Sequence, residues 1–261
     1  MIYEICTETD TGLARDNNED ALAFDPLTGL CILADGMGGY NAGEVASGMA
    51  CAFVKSEMVR WLSQTGSHAN GNEVCRALAI CVENVNQSIF NAANANPQYS
   101  GMGTTLVVGV FQSARLTLGH IGDSRCYRLR GTEFQQITKD HSLLQAQIDA
   151  GLITPEQALT SANKNLVTRA LGVEDTVLLE VNDYRVDIGD VYLMCSDGLT
   201  DMVRDAAIAG IMRGGASLAQ KARQLVVAAN ESGGRDNISV LLVQAKAASI
   251  KRGLLSRMLG K

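Results

Sequence analysis

Residues 31–46 read CILADGMGGYNAGEVA. An apolar run from Cys31 to Ala34 stops at Asp35. Gly36, Gly38 and Gly39 follow within five positions of that acid, and a helical pattern then begins. Two chemistries use such a junction. A glycine loop between strand and helix can cradle the phosphate of a dinucleotide. Alternatively, the acid at the strand end is a metal ligand, and glycine lets backbone come close to the ion. The dinucleotide fingerprint G-x-G-x-x-G, begun at Gly36, requires a third glycine where this chain has Asn41. Its ribose-binding acid belongs at the end of a second strand about 20 residues on. The acid near that distance, Glu57, lies inside a helical pattern, and no G-x-x-x-x-G-K-[ST] occurs. The stretch therefore reads as strand, acid, glycine turn, helix.

Working outward, residues 2–9, 21–25 and 30–34 read as short strands. Two long helical segments follow. Val45, Met49, Ala52 and Phe53 share one face of the first; Val74, Leu78, Cys81, Val82, Val85 and Ile89 share one face of the second. The segments TTLVVGVF, ARLTLGHIG, SRCYRLRG and EFQQIT are short and separated by turn residues, which predicts an antiparallel meander. A helix is expected from about His141 to Thr160, then strands at 178–186 and 190–195. A helix with Leu218, Ala222, Leu225, Val226 and Ala229 on one face follows, and ISVLLVQAK is a buried strand. Strands and helices come in blocks instead of alternating, so the fold class is α+β.

The 261 residues fit one large domain or two small ones. No apolar run approaches the roughly 18 residues of a membrane span. The N-terminus, MIYEICTETD, carries acids where a signal peptide needs basic residues, so a cytoplasmic protein is expected. The seven cysteines have no CxxC spacing and read as reduced, mostly buried thiols. Three histidines without HExxH disfavour a zinc hydrolase. The net charge of −6 disfavours nucleic acid as a partner. Five of the 22 Lys and Arg residues fall from Lys246 onward, where no acid occurs, leaving 17 basic against 28 acidic residues elsewhere. An acidic body attracts cations, but it repels anionic substrates unless metal ions reverse the local field.

Asp35 is not alone. Asp123 follows LGHIG, Asp197 follows VYLMCS, Asp236 precedes NISVLLV, and Glu19 and Asp20 precede ALAF. Singly, an Asp beside Gly is an ordinary turn. Together, acids at strand ends can converge on one cleft. Like charges within a few ångströms are strongly unfavourable, and a divalent cation relieves them. All-oxygen ligation points to Mg²⁺ or Mn²⁺. Arg15 lies four residues before Glu19, and a planar guanidinium can hold two phosphate oxygens at once.

The segments TDTGLARDNNED, ADGMGGYNAGEVAS, GMGTTL, GHIGDSRCYRLR, TKDHSL, LVTRALG, CSDGLTD and GGRDNISVLLV occur in the order found in PP2C-type (PPM) serine/threonine phosphatases. The chain resembles that family, the bacterial branch most nearly, from about residue 3 to 245. The resemblance implies a four-layer α-β-β-α sandwich, two antiparallel sheets flanked by paired helices. Residues 1–245 would form the catalytic domain, with a flap at about 139–175 and a basic tail at 246–261. By motif position, Asp35 resembles the carboxylate bridging two metals, and the Gly36 carbonyl a ligand of one of them. Glu19 resembles a ligand of that ion. Asp197 and Asp236 resemble ligands of the other, and Asp123 the acid joining Asp197 at a third, weaker site. Asp20 resembles the group that holds metal-bound water. Arg15 resembles the phosphate clamp. The implied reaction is direct attack of a metal-bridging hydroxide on phosphoserine or phosphothreonine, with two Mn²⁺ or Mg²⁺ ions per site. A catalytically inactive, phosphoprotein-binding scaffold is the alternative, and loss of a ligand acid or of the clamp would mark it.

One departure touches the chemistry. Eukaryotic relatives carry His where this chain has Met37, and that His is the usual donor to the leaving alkoxide. A metal-bound water is the preferred substitute here, with His120 and His141 as alternatives. Alternation with Leu116 and Leu118 makes His120 read as structural. In the flap, Ser161-Ala162 replaces a common His-Pro. The expected partners are phosphorylated substrates of a cognate bacterial Ser/Thr kinase. The protein is expected to be a monomer, and its tail a docking segment for an acidic partner or an anionic membrane surface.

Overall fold

The computed structural model describes residues 1–39, 42–65, 69–158 and 166–248, apart from the side chains at 155 and 156. In chain order the elements are β1 (Ile2–Asp10), β2 (Asp20–Asp25), β3 (Leu30–Met37), α1 (Ala42–Thr65), α2 (Gly71–Ala95), a two-residue β4 (Gly103–Thr104), β5 (Leu106–Gln112), β6 (Arg115–Ile121), β7 (Arg125–Arg130) and β8 (Glu133–Gln136). There follow α3 (Leu143–Asp149), α4 (Pro155–Ala158), β9 (Glu180–Arg185), β10 (Val191–Cys195), α5 (Asp197–Thr200), α6 (Asp205–Arg213), α7 (Leu218–Glu231) and β11 (Ile238–Lys246). One sheet has the order β1-β11-β10-β7-β8. The other has β2-β3-β5-β6-β9, with β4 on β3. Every pairing is antiparallel.

Side-chain alternation along the strands builds four layers. In β3, Leu30, Ile32 and Ala34 face α1 and α2, while Cys31 and Leu33 face the other sheet. In β11, Ile238, Val240 and Leu242 face α5–α7, while Leu241, Val243 and Ala245 face the interior between the sheets. Strands covered on both faces need apolar residues at consecutive positions, which is why CILA and ISVLLV lack the polar alternation of a half-exposed strand. The α+β sandwich expected from the sequence is the fold observed.

Three expectations are corrected. The stripe of α1 facing the sheet is Ala42, Ala46, Ala50, Val54, Met58 and Leu62; Val45, Met49 and Phe53 pack along its edge and Ala52 is exposed. Close approach of α1 requires small residues, and alanines weigh little in a pattern read from larger side chains. The predicted meander is divided. β5 pairs with β6 and β7 with β8, but β6 continues to β9 and β7 to β10, in different sheets. The chain crosses between sheets at Gly122, whose φ is +99°. A Cβ there would come within 2.6 Å of Thr105 Cγ2, so glycine is needed both for the turn and for the contact. Finally, the helix expected over 141–160 is two short ones, with Gly151 at φ +69° between them. Residues 159–165, including Ser161-Ala162, lie outside the described residues. Lys246 ends β11 opposite Ile2, so strand pairing includes the first residue of the expected tail. Residues 249–261 also lie outside the description.

Candidate metal centre and active site

The acids converge because the strands that carry them end at one edge of the sandwich. Asp20 and Asp35 lie directly opposite each other on β2 and β3. Asp123 occupies the turn by which β6 crosses to β7. Asp197 is the first residue of α5, immediately after β10 and Ser196. Asp236 lies two residues before β11, which begins where β1 ends. A cavity of about 250 Å³ is lined by Arg15, Glu19, Asp35, Gly36, Asp123, Asp197 and Asp236, with Met37, Gly38, Thr105 and Val167 completing its wall. Every residue expected at the metals or the phosphate lines this cavity. Asp20, expected to act through water, does not line it.

Hydrogen bonds fix these acids in place. The Asp35 backbone N–H donates to Thr105 Oγ1 at 3.0 Å, and Thr104 Oγ1 donates to the Asp35 carbonyl at 2.9 Å. Thr105 Oγ1 also pairs with Ser124 Oγ at 2.8 Å, which ties Asp35 to the residue after Asp123. Ser196 Oγ donates to Asp20 Oδ2 at 2.8 Å and accepts from the Ser239 backbone N–H at 3.0 Å, joining β2, β10 and β11. Asn237 ties down the loop that carries Arg15. Its Nδ2 donates to the carbonyls of Thr11 and Asn17, and its Oδ1 accepts from the Glu19 N–H at 2.7 Å. Arg125 grips Asp140 through Nε and Nη2, closing the far side of the Asp123 turn. Sequence reasoning did not single out Thr105, Ser196 or Asn237, although each is adjacent to or inside a quoted segment. Gly36 serves packing: a Cβ there would meet the Gly43 carbonyl at 2.1 Å, so the end of β3 and the start of α1 could not touch.

The electrostatics are those of an incomplete site. Burial raises the Asp35 carboxyl well above its usual range, and Asp20, Asp197, Asp123 and Asp236 push it further. Asp197 is raised in the same way by burial, then by Asp123, Asp201, Asp236 and Asp20. Asp123 rises to about 6 through burial and the charge of Asp140. Asp20 rises to about 6, with burial outweighing the hydroxyl hydrogen bonds it receives. Burial also raises Glu19. Asp20 Oδ1 is buried with no hydrogen-bond partner among the described residues. Carboxylates clustered without enough cations and an acceptor without a donor fit a site completed by divalent ions and their water. Among the described residues, the one basic group on the cavity wall, Arg15, is half-exposed and donates from Nη2 to Asp236 Oδ2 at 2.8 Å.

Histidine takes no part in lining the cavity among the described residues. His120 and His141 are buried and stacked, with ring centroids 4.6 Å apart and planes at 18°. His120 Nε2 donates to the Lys139 carbonyl at 2.8 Å, and His141 Nδ1 accepts from the Gly122 N–H at 3.2 Å. Burial, His120 and Arg169 lower the His141 pKa, against an opposing pull from Glu180. Ligand atoms of His120, His141 and Glu180 fall within 4.8 Å of one another. Stacked rings cannot both direct an in-plane lone pair at one ion, so the trio reads as structural.

Residues 14–242 match the family model described as Protein phosphatase 2C. The chain belongs to the protein phosphatase 2C family. Protein phosphatase PhpP of Streptococcus pneumoniae is 39% identical over 243 residues, covering 92% of this chain and 96% of that one. Serine/threonine phosphatase stp of Listeria innocua is 36% identical over 239 residues, covering 90% and 93%. Among solved structures, the catalytic domain of serine/threonine protein phosphatase PstP in complex with two manganese ions superposes with a TM-score of 0.81 at 36% identity, covering 94% of this chain and 99% of that one. The chain is thus a metal-dependent serine/threonine phosphatase of the bacterial PP2C type, a hydrolase.

Proposed function

We propose that the acids lining the cavity hold two divalent ions, Mn²⁺ or Mg²⁺, and that phosphoserine and phosphothreonine in proteins are hydrolysed there. The observation that carries this reading is the convergence of Glu19, Asp35, Asp123, Asp197 and Asp236 with Arg15 on one small cavity. Asp35 serves both ions, Glu19 and the Gly36 carbonyl one, Asp197 and Asp236 the other. Asp123 with Asp197 forms a third, weaker site. Ions bound there supply Lewis acidity and a water acidified towards neutrality. Arg15 binds two phosphate oxygens and neutralises charge that grows in the transition state. Asp20 Oδ1, with unused acceptor capacity, orients a water towards the cluster. The proton for the leaving oxygen comes from solvent in the site, since Met37 cannot donate and both nearby histidines are engaged.

The substrates are phosphoproteins, made by a cognate bacterial Ser/Thr kinase. We place the protein in the cytoplasm as a monomer. Residues 1–245 form its catalytic domain with the flap at 139–175, and the basic tail docks to an acidic partner or an anionic surface. Among the described residues, no helix is long and apolar enough to cross a membrane. The test is phosphate release from a phosphothreonine peptide and from p-nitrophenyl phosphate. Activity should vanish with EDTA and return with Mn²⁺. A metal-loaded protein that binds the phosphopeptide without turning it over would establish the scaffold alternative instead.

A further inference from the structure

A second cavity, about 610 Å³, adjoins the first and is more than twice its size. The two share Met37 and Val167 as a common wall. Beyond that wall the larger groove is mixed: Val173, Val177 and Leu178 form its aliphatic part, and Thr168, Arg169, Glu174 and Thr176 its polar part. Val173 is 54% exposed and Leu178 73% exposed, although both are aliphatic. Isolated apolar side chains on a surface need no explanation, but apolar residues gathered beside a reaction centre do.

The groove is held rigidly. Asn86 of α2 is fully buried and holds the 172–175 segment: its Oδ1 accepts from the Gly172 N–H at 2.8 Å, and its Nδ2 donates to the Glu174 carbonyl at 3.0 Å. Leu171 exchanges both backbone hydrogen bonds with Thr104, at 3.1 and 2.8 Å. Val167 and Thr168, also in the lining, are tied to Ser142 and His141. Among the described residues the lining carries one positive and one negative side chain, with no net charge.

We infer that this groove binds the substrate polypeptide beside the phosphorylated residue and selects aliphatic side chains there. The inference rests on the phosphatase reading of the adjoining cavity. An extended chain advances about 3.3 Å per residue, so side chains one to three positions from the phosphoresidue reach past Met37 and Val167. Burying an aliphatic side chain against Val173, Val177 and Leu178 favours such substrates through the hydrophobic effect.

Two phosphothreonine peptides of equal length and charge test this, one with Val and Leu at the neighbouring positions and one with Ser and Gly. Both are compared with p-nitrophenyl phosphate, which carries no neighbouring residues for the groove to select. The Mn²⁺-loaded protein should prefer the aliphatic peptide by about tenfold in kcat/KM. In V173D, L178D and L178K that preference should fall to about one, with p-nitrophenyl phosphate turnover unchanged. The acidic and basic replacements at residue 178 should act alike, which separates loss of apolar contact from charge effects on an anionic substrate. Equal kcat/KM for the two peptides, or a preference that survives all three substitutions, would overturn the inference. A Mn²⁺-loaded protein inert towards p-nitrophenyl phosphate would instead remove the phosphatase reading beneath it.

Discussion

The two ends of β10 carry buried or nearly buried aspartates with opposite fates. Asp190, just before the strand, is 2% exposed. Arg130 donates to it from Nε at 2.9 Å and from Nη2 at 2.7 Å, and the Asp187 N–H donates at 2.8 Å. Burial alone would raise its pKa, but these donors outweigh burial and lower it. Asp197, just after the strand, has acids for neighbours, and burial together with their charge drives its pKa well up. At one end the chain supplies the counter-charge; at the other it does not. Buried charge is a structural device where the chain completes it and a binding site where it does not.

Substitution at each end separates these roles. Asp197→Asn should lower kcat by about a thousandfold, equivalent to about 4 kcal/mol of lost transition-state stabilisation. The metal-free variant should nevertheless melt no lower than the metal-free wild type, because a buried like-charge repulsion is removed. Asp190→Asn should show the reverse pattern. It should retain turnover and lose about 2 kcal/mol of stability in urea unfolding, since charge-assisted hydrogen bonds are broken. A loss of activity at Asp190 equal to that at Asp197 would erase the distinction.

Residues around the uncompensated end should show graded effects. Ser196→Ala removes a hydroxyl donor to Asp20 and should weaken Mn²⁺ activation by about tenfold, read as the half-saturating metal concentration. Arg15→Ala should raise KM for p-nitrophenyl phosphate by about tenfold with a smaller change in kcat, because the clamp acts in both ground and transition states. The smallest expected effect is the pH dependence of stability. Asp20 and Asp123 have folded pKa values raised to about 6 from the ordinary aspartate value of 3.8. Between those limits the folded state holds more protons than the unfolded state, so metal-free stability falls as pH rises. Calorimetry should find the metal-free protein melting higher near pH 4 than near pH 7. The stabilisation by added Mn²⁺ should grow across the same window. A melting temperature that rises with pH in EDTA would show that other groups dominate.

Much of this arrangement was legible in the sequence, for identifiable reasons. The acids stand out because each interrupts or borders an apolar run long enough to be a strand. The faces of α2 and α7 were readable because Leu, Val and Ile mark their periodicity. The face of α1 was not, because Ala46 and Ala50 carry the close contact with the sheet. The crossing at Gly122 was hidden as well: the turns before and after β7 look alike in sequence, and only the pairing of β6 with β9 and of β7 with β10 separates the sheets. The hydroxyls of Thr105 and Ser196 escaped notice because Ser and Thr are common in turns, and their use emerges only when distant strands meet. The groove beside Val173 and Leu178 is a product of tertiary structure, joined by Asn86 from 86 residues earlier in the chain.

The measurement closest to the central claim is calorimetric titration of the metal-free protein with Mn²⁺ near pH 6, repeated in buffers of different ionisation enthalpy. Carboxyls raised by burial and by one another must shed protons when a cation replaces them. The account predicts at least two ions bound per chain with net proton release, and loss of at least one ion in Asp197→Asn. Binding of fewer than two ions, or binding with no proton released, would contradict it.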